Sequence, residues 1–187
     1  MIEHDWLDDC VSVDIEAAGP YPGAYALLSI GACRISNPLQ TFYAELQPDR
    51  SAFQKQALEI SGFTLEELGT TGLPAANAID SFALWLDEVV PGEPIFVAFN
   101  APFDWMFIND YFHRYYGSNP FGHTAIDIKA LFLGLSGDPW TSTSMDLINQ
   151  SLGFDKALSH HALEDALDQA KLFLEIIRRL RAAPLKE

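Results

Sequence analysis

The chain has 187 residues, 49% of them apolar, and a formal net charge of −15 at pH 7. That length and apolar content predict one domain (residues 1–187) with its own core and exclude bulk disorder. The acidity excludes global attraction to long duplex nucleic acid, although bound cations reverse the field locally.

The first nine residues, Met1–Asp9, are acidic and lack the continuous apolar stretch of a secretory signal. No apolar run approaches the ~20 residues that cross a bilayer, so a soluble, cytoplasmic protein without membrane partners is expected. Cys10–Glu16 reads as a strand, followed by a turn-rich loop, Ala17–Gly23. Tyr25–Ile35 reads as a second strand. Cys10 and Cys33, in apolar surroundings, are expected to be buried free thiols rather than a disulfide or a zinc site. Asn37-Pro38 marks a turn, and Thr41–Leu46 alternates as a third strand. The chain therefore opens as an antiparallel meander.

Helical patterns follow at Ala52–Ile60, Thr64–Leu68 and Ala75–Val90, the last stopped by Pro91-Gly92. Pro94–Phe99 is a short continuous apolar strand, as in a sheet covered on both faces. Pro102–Tyr116 reads as a helix with proline in its first turn, and Thr124–Ile128 as a short strand. Gly134–Thr143 reads as either a mobile loop or a structural turn. Ser144–Leu152 and Leu163–Leu180 are helices, the latter with the clearest apolar period. Its basic end, Arg178, Arg179 and Arg181, either touches phosphate or is a solvated helix terminus that favours cations. Antiparallel strands followed by strands alternating with helices predict an α/β fold: a mixed sheet covered by helices.

Three segments carry candidate chemistry. In Val11-Ser-Val-Asp14-Ile-Glu16, two acids interrupt an apolar strand with no Lys or Arg nearby in sequence. Alternation puts Asp14 and Glu16 on one face, about 6.6 Å apart at ~3.3 Å per residue. They either converge on a hard cation such as Mg²⁺ or Mn²⁺, or are solvated acids of an exposed edge. In Phe96-Val-Ala-Phe-Asn100-Ala-Pro-Phe103-Asp104, a buried strand runs into a helix whose first turn holds Asp104. Asp104 is either a site residue at a strand's C-terminal end or a partner of the helix dipole. In Ser159-His160-His161-Ala-Leu-Glu164-Asp165, five residues rotate by about 140° modulo a full helical turn. His160 and Asp165 therefore meet only if His160 lies in the loop before the helix. His160 is a candidate general base; a capping role for Ser159 is the structural alternative, and His161 fits that better than His160. Asp127 follows a strand and would at most stand behind the site or cap a helix, a structural role at the core edge being the expected one.

The ordered set Asp14-x-Glu16, Asn100-x-x-x-Asp104 and His160-x-x-x-x-Asp165 resembles the three motifs of DEDDh-family 3′→5′ exonucleases, in the ribonuclease H-like superfamily. Leu28-Ser-Ile-Gly31-Ala and Ile60-Ser-Gly62-Phe63-Thr64 match as supporting segments, and the resemblance spans nearly the whole chain. It implies a ribonuclease H-like sheet, the first three strands antiparallel and the rest parallel, with helices on both faces. It implies a nuclease in which Asp14, Glu16, Asp104 and Asp165 hold two Mg²⁺ or Mn²⁺ ions roughly 4 Å apart. His160 would act as the base, and Asn100 would orient the Asp104 region. Nucleoside 5′-monophosphates would be released from the 3′ end of single-stranded or short nucleic acid. Ala17, by its backbone, Phe63 and Phe103 would meet the substrate. The sequence departs from the family at Ala17-Ala18-Gly19, where many members carry Thr after the Glu. The insertion Gly19–Gly23, with Tyr21, would reshape the terminal-nucleotide pocket. RNA and DNA remain undistinguished; a homodimer, a polymerase partner, and an inactive binding module on the same fold stay as alternatives.

Overall fold

Val11, Val13, Ile15 and Ala17 bury one face of strand β1 (Cys10–Ala17), and Asp14 and Glu16 take the other. The computed structural model describes residues 5–90, 92–154 and 159–182. Met1–His4 and Pro91, read above in the sequence, lie outside them, as do residues 155–158 and 183–187. Strands β2 (Leu27–Arg34) and β3 (Asn37–Glu45) complete an antiparallel meander with β1. Strands β4 (Ile95–Ala98) and β5 (Ala125–Asp127) add in parallel on the other side of β1, giving the order β3-β2-β1-β4-β5. This is the mixed sheet expected from the sequence.

One core lies between the sheet and helices α3 (Ala75–Val89) and α4 (Pro102–Tyr115). Helix α3 faces it with Ala75, Ala78, Ile79, Phe82, Ala83, Leu86 and Val89, the i, i+3, i+4 stripe of an amphipathic helix. A second core on the opposite face holds α5 (Ile128–Ser136), α6 (Met145–Leu152) and α7 (Ala162–Ala182). Two short helices, α1 (Lys55–Ser61) and α2 (Leu65–Thr71), follow β3. Cys10 and Cys33 are buried free thiols, and desolvation pushes each up to about 12, so neither is a thiolate at neutral pH. Among the described residues no helix is long and apolar enough to cross a membrane.

Several expected boundaries move. Strand β3 begins at Asn37, so the turn falls at Ile35–Ser36; Pro38 is tolerated because β3 is an edge strand. Tyr25 lies outside β2 and makes an isolated bridge to Ala52, which delays α1 to Lys55. Gly134–Thr143 is a turn rather than a loose loop. Gly134–Ser136 end α5, Gly137 closes it with left-handed backbone, and Thr143 is buried with its hydroxyl donating to the Trp140 carbonyl at 2.6 Å. The basic end of α7 is a solvated terminus tied within the protein. Arg178 and Arg179 both pair with Glu175 at 2.7 Å, and Arg181 reaches Asp5 at 3.2 Å.

Candidate active site

Alternation on β1 and the approach of α7 place the first carboxylates. Gly31 of β2 lies under the first turn of α7, where a β-carbon would overlap the Ala162 carbonyl and Leu163 nitrogen. The glycine lets the helix start directly over the acid-bearing face. A cavity of about 180 Å³ opens there, lined by Asp14, Glu16, Asp104, His160, Asp165 and Gln169, with Phe99, Asn100, Phe103 and Met145 at its walls. Among the described lining residues none is Lys or Arg.

Asp104, Asp14 and Asp165 are each held by specific donors. The Ile15 N–H donates to Asp104 at 3.1 Å, tying the first turn of α4 to β1. Gln169 donates through Nε2 to Asp14 at 2.6 Å and accepts from the Phe99 N–H at 2.9 Å, so it bridges β1, β4 and α7. Asp165 accepts from the Ser159 N–H at 2.9 Å, the Ser159 hydroxyl at 3.0 Å and the His160 N–H at 2.9 Å. Ser159 is thus bound by Asp165 and also accepts a long bond from His161 N. His160 lies in the loop before α7, the arrangement needed for it to meet Asp165. Asn100 and His160 are the two non-glycine residues with left-handed backbone among those described, with φ of 58° and 56°. Both line the cavity, and strained backbone of this kind gathers where a site over-determines it.

Electrostatically the acids are uncompensated. Burial first, then Asp104, Glu16 and Asp165, push Asp14 well above the ordinary carboxylate range, against the pull of Gln169. Burial also raises Asp104, against its backbone hydrogen bonds, with Glu16 and Asp127 adding to the rise. Burial and then Asp165 push Glu16 up to about 8. Hard oxygen donors that repel one another in a partly desolvated cavity fit divalent cations. Donor atoms of Glu16, His160 and Asp165 all lie within 4.8 Å of one another. Asp14 and Asp104 face the same cavity from its floor.

The expected substrate contacts separate. Phe103 lines the cavity. Phe63 does not; it packs against Ala18, Ala26, Leu28 and Leu68 beyond the end of β1. Ala17 turns its methyl into the opposite core, so only its backbone is left to meet a substrate. In the Gly19–Gly23 insertion, Tyr21 packs edge-on against Tyr25 at 5.4 Å. Asp127 caps α5, accepting from the Ala130 N–H at 2.7 Å. Gln169 and Met145 escaped sequence reasoning. The signal for Gln169 was a polar residue one turn after Asp165, set within the apolar positions of α7.

The profile described as Exonuclease (RNase T type) matches residues 11–173. The chain belongs to this exonuclease family. It is 44% identical over 165 residues to the 3′-5′ DNA exonuclease Cap18 of Escherichia coli, which covers 87% of this chain and 88% of that one. The PolC-type DNA polymerase III of Thermotoga maritima is 27% identical over 173 residues, 91% of this chain but 12% of the polymerase. Among solved structures, the nuclease domain of 3′hExo, a DEDDh family member bound to rAMP, superposes with a TM-score of 0.75 at 14% identity, covering 96% of each chain. The zinc-bound ExoI–ssDNA complex of E. coli gives 0.74 at 15% identity, covering 92% of this chain and 41% of the other. The chain is thus a 3′→5′ exonuclease, a hydrolase of nucleic-acid phosphodiesters, and it shares the fold of these solved nucleases.

Proposed function

We propose that the exonuclease shortens single-stranded or short DNA from its 3′ end, one nucleoside 5′-monophosphate at a time. In this reading Asp14, Glu16, Asp104 and Asp165 hold two Mg²⁺ or Mn²⁺ ions. The observation that carries it is the convergence of these four carboxylates and His160 on one cavity, without a cation among the described lining residues. DNA as substrate is supported by the 44% identity to a relative named as a DNA exonuclease. A strand end, rather than long duplex, follows from the net charge of −15.

When bound, the ions supply a water of lowered pKa and neutralise charge on the leaving oxygen. The protein's own groups do the rest. His160 takes a proton from the attacking water. The water oxygen bonds to the terminal phosphorus and the P–O3′ bond breaks, so the 5′-monophosphate leaves and the shortened chain keeps a 3′-hydroxyl. Asp165 holds the His160 backbone, Gln169 orients Asp14, and the Ile15 N–H orients Asp104. Phe103 at the cavity wall offers a ring to the terminal base, a contact worth about 1–3 kcal/mol where stacking forms. Asn100 shapes the strand-to-helix turn beneath Phe103, whose N–H its carbonyl accepts at 3.1 Å.

Digestion of 5′-labelled single-stranded, duplex and short DNA and RNA oligomers tests the reading. It expects ladders shortened from the 3′ end with Mg²⁺ or Mn²⁺ and intact oligomers with EDTA. Digestion unaffected by EDTA, or tight metal-independent binding of long duplex, would overturn it.

A further inference from the structure

The histidine loop has a second anchor outside the cavity. His161, exposed beside His160, stacks its imidazole on the ring of Tyr43 at 4.7 Å and 18°. Tyr43 lies on β3 directly opposite Gly31, which lies opposite Asp14, so the three residues form one row across the sheet. At ~4.8 Å between strands, Tyr43 is two strands, or about 10 Å, from Asp14 by backbone. Its hydroxyl donates to Glu45 at 2.9 Å. Burial, then Glu45, pushes that phenol well above its ordinary range, so it stays a neutral donor.

A left-handed φ of 56° at His160 is disfavoured for any residue with a β-carbon. It persists only if both flanks are held. The Asp165 carboxylate fixes the upstream flank through the Ser159 and His160 N–H groups. The downstream flank is His161, whose carbonyl accepts the Asp165 N–H at 3.0 Å and whose ring rests on Tyr43. The backbone reversal sends two consecutive imidazoles to different places, one into the cavity and one onto β3.

We infer that Tyr43 and His161 are positioning residues: their stack holds the loop in the conformation that keeps the His160 imidazole in the active-site cavity. This rests on the reading of His160 as the base, and the test separates the two.

The experiment measures single-turnover rates and KM on a Mg²⁺-loaded single-stranded DNA oligomer, with melting curves for every variant. Tyr43→Leu and His161→Ala should each lower kcat by about three- to tenfold, the span of one aromatic stack, with KM within about twofold. Their effects should not add. His161→Phe should restore most of the rate lost in His161→Ala, because a ring returns to Tyr43. In a His160→Ala background, Tyr43→Leu should cost nothing further, since there is no base left to position. Equal losses in both backgrounds, or a wild-type kcat for folded Tyr43→Leu and His161→Ala, would overturn the inference. A wild-type rate for His160→Ala would instead remove the underlying reading of the base.

Discussion

Two acid neighbourhoods in this exonuclease are built on opposite principles. Around Asp49, in the segment after β3, both carboxylate oxygens are answered. Tyr111 donates to it at 2.6 Å, Tyr115 at 2.9 Å and Arg114 at 2.6 Å, with Arg50 at 3.2 Å. The Arg114 guanidinium also lies over both tyrosine rings, at 4.3 and 4.8 Å. These hydrogen bonds and the Arg114 charge overcome burial and hold Asp49 below its ordinary value. In the cavity, four carboxylates share a few polar donors, and burial with mutual repulsion raises those whose shift is resolved. The Asp49 knot is finished by the chain itself and locks α4 to the start of β2, where the Leu27 N–H donates to Tyr111 at 2.8 Å. The cavity is finished only by ions and substrate. A self-satisfied cluster gives stability; an unsatisfied one holds binding capacity.

The strongest way to break this contrast is Asp14→Asn. The variant keeps an oxygen for Gln169 but removes one charge from the cation site. A loss on the order of 10³-fold in rate is expected, several kcal/mol of transition-state stabilisation, measured by mononucleotide release. The metal-free protein should melt higher than wild type, because a buried repulsion is gone. Activity near wild type, or a lower metal-free Tm, would show that Asp14 is not part of an uncompensated cluster.

Asp49→Ala should do the reverse. It takes the acceptor from two phenols and one of two carboxylates from Arg114, which keeps Asp110 at 2.7 Å, at a cost of about 2–3 kcal/mol, discounted for the part-exposed Arg114. That predicts a Tm lower by roughly 5–10 °C, while the rate per folded molecule stays within about twofold. A thermal scan paired with an active-site titration checks both halves.

How much of this was legible in the sequence depends on whether the signal was local. Asp14 and Glu16 stood out because charges in an apolar strand break a period-two pattern that is visible in one segment. The fold class followed from the order of such patterns. His160, Asp104 and Asp165 were individually ambiguous, and only their order gave them meaning. Gln169 was hidden because its role is a bridge between β1 and β4, separated from it by 155 and 70 residues. Helix α5 was not separately predicted, because Ile128–Ser136 is apolar almost all round and carries a glycine, so it shows no amphipathic period. The Tyr43–His161 stack joins an edge strand to a loop, a pairing no periodicity reports.

Gly31 links sequence to site more finely, and Gly31→Ala sharpens the comparison by moving one region alone. A β-carbon would collide with the backbone of Ala162 and Leu163, and backbone yields less readily than a side-chain tip. Overpacking of this kind costs about 1–3 kcal/mol. Relief comes by lifting the first turn of α7, which carries Asp165 and the His160 loop. The expected result is a Tm lower by a few degrees with a larger fall in kcat than in affinity for the oligomer. The Asp49 knot, on the far side of the sheet, should keep its contribution unchanged in an Asp49→Ala, Gly31→Ala double variant, so the two stability losses add.

The smallest effect is on the acid limb, and there the two neighbourhoods must differ in sign. Asp49 is depressed in the native state, so the stability it contributes is complete above its ordinary value of 3.8 and lost as pH falls through the lower native value. The Tm gap between wild type and Asp49→Ala should therefore narrow below about pH 3.8. Asp14 is raised in the native state, so the metal-free fold is favoured at low pH and loses that advantage as pH rises from 3.8 through the raised value. The excess Tm of metal-free Asp14→Asn over wild type should accordingly grow with rising pH and vanish in acid. Melting both variants beside wild type in EDTA across the acid range reads the two slopes together. Parallel slopes would mean that the cavity acids are as fully answered by the protein as Asp49 is, and the distinction between a finished and an unfinished cluster would fail.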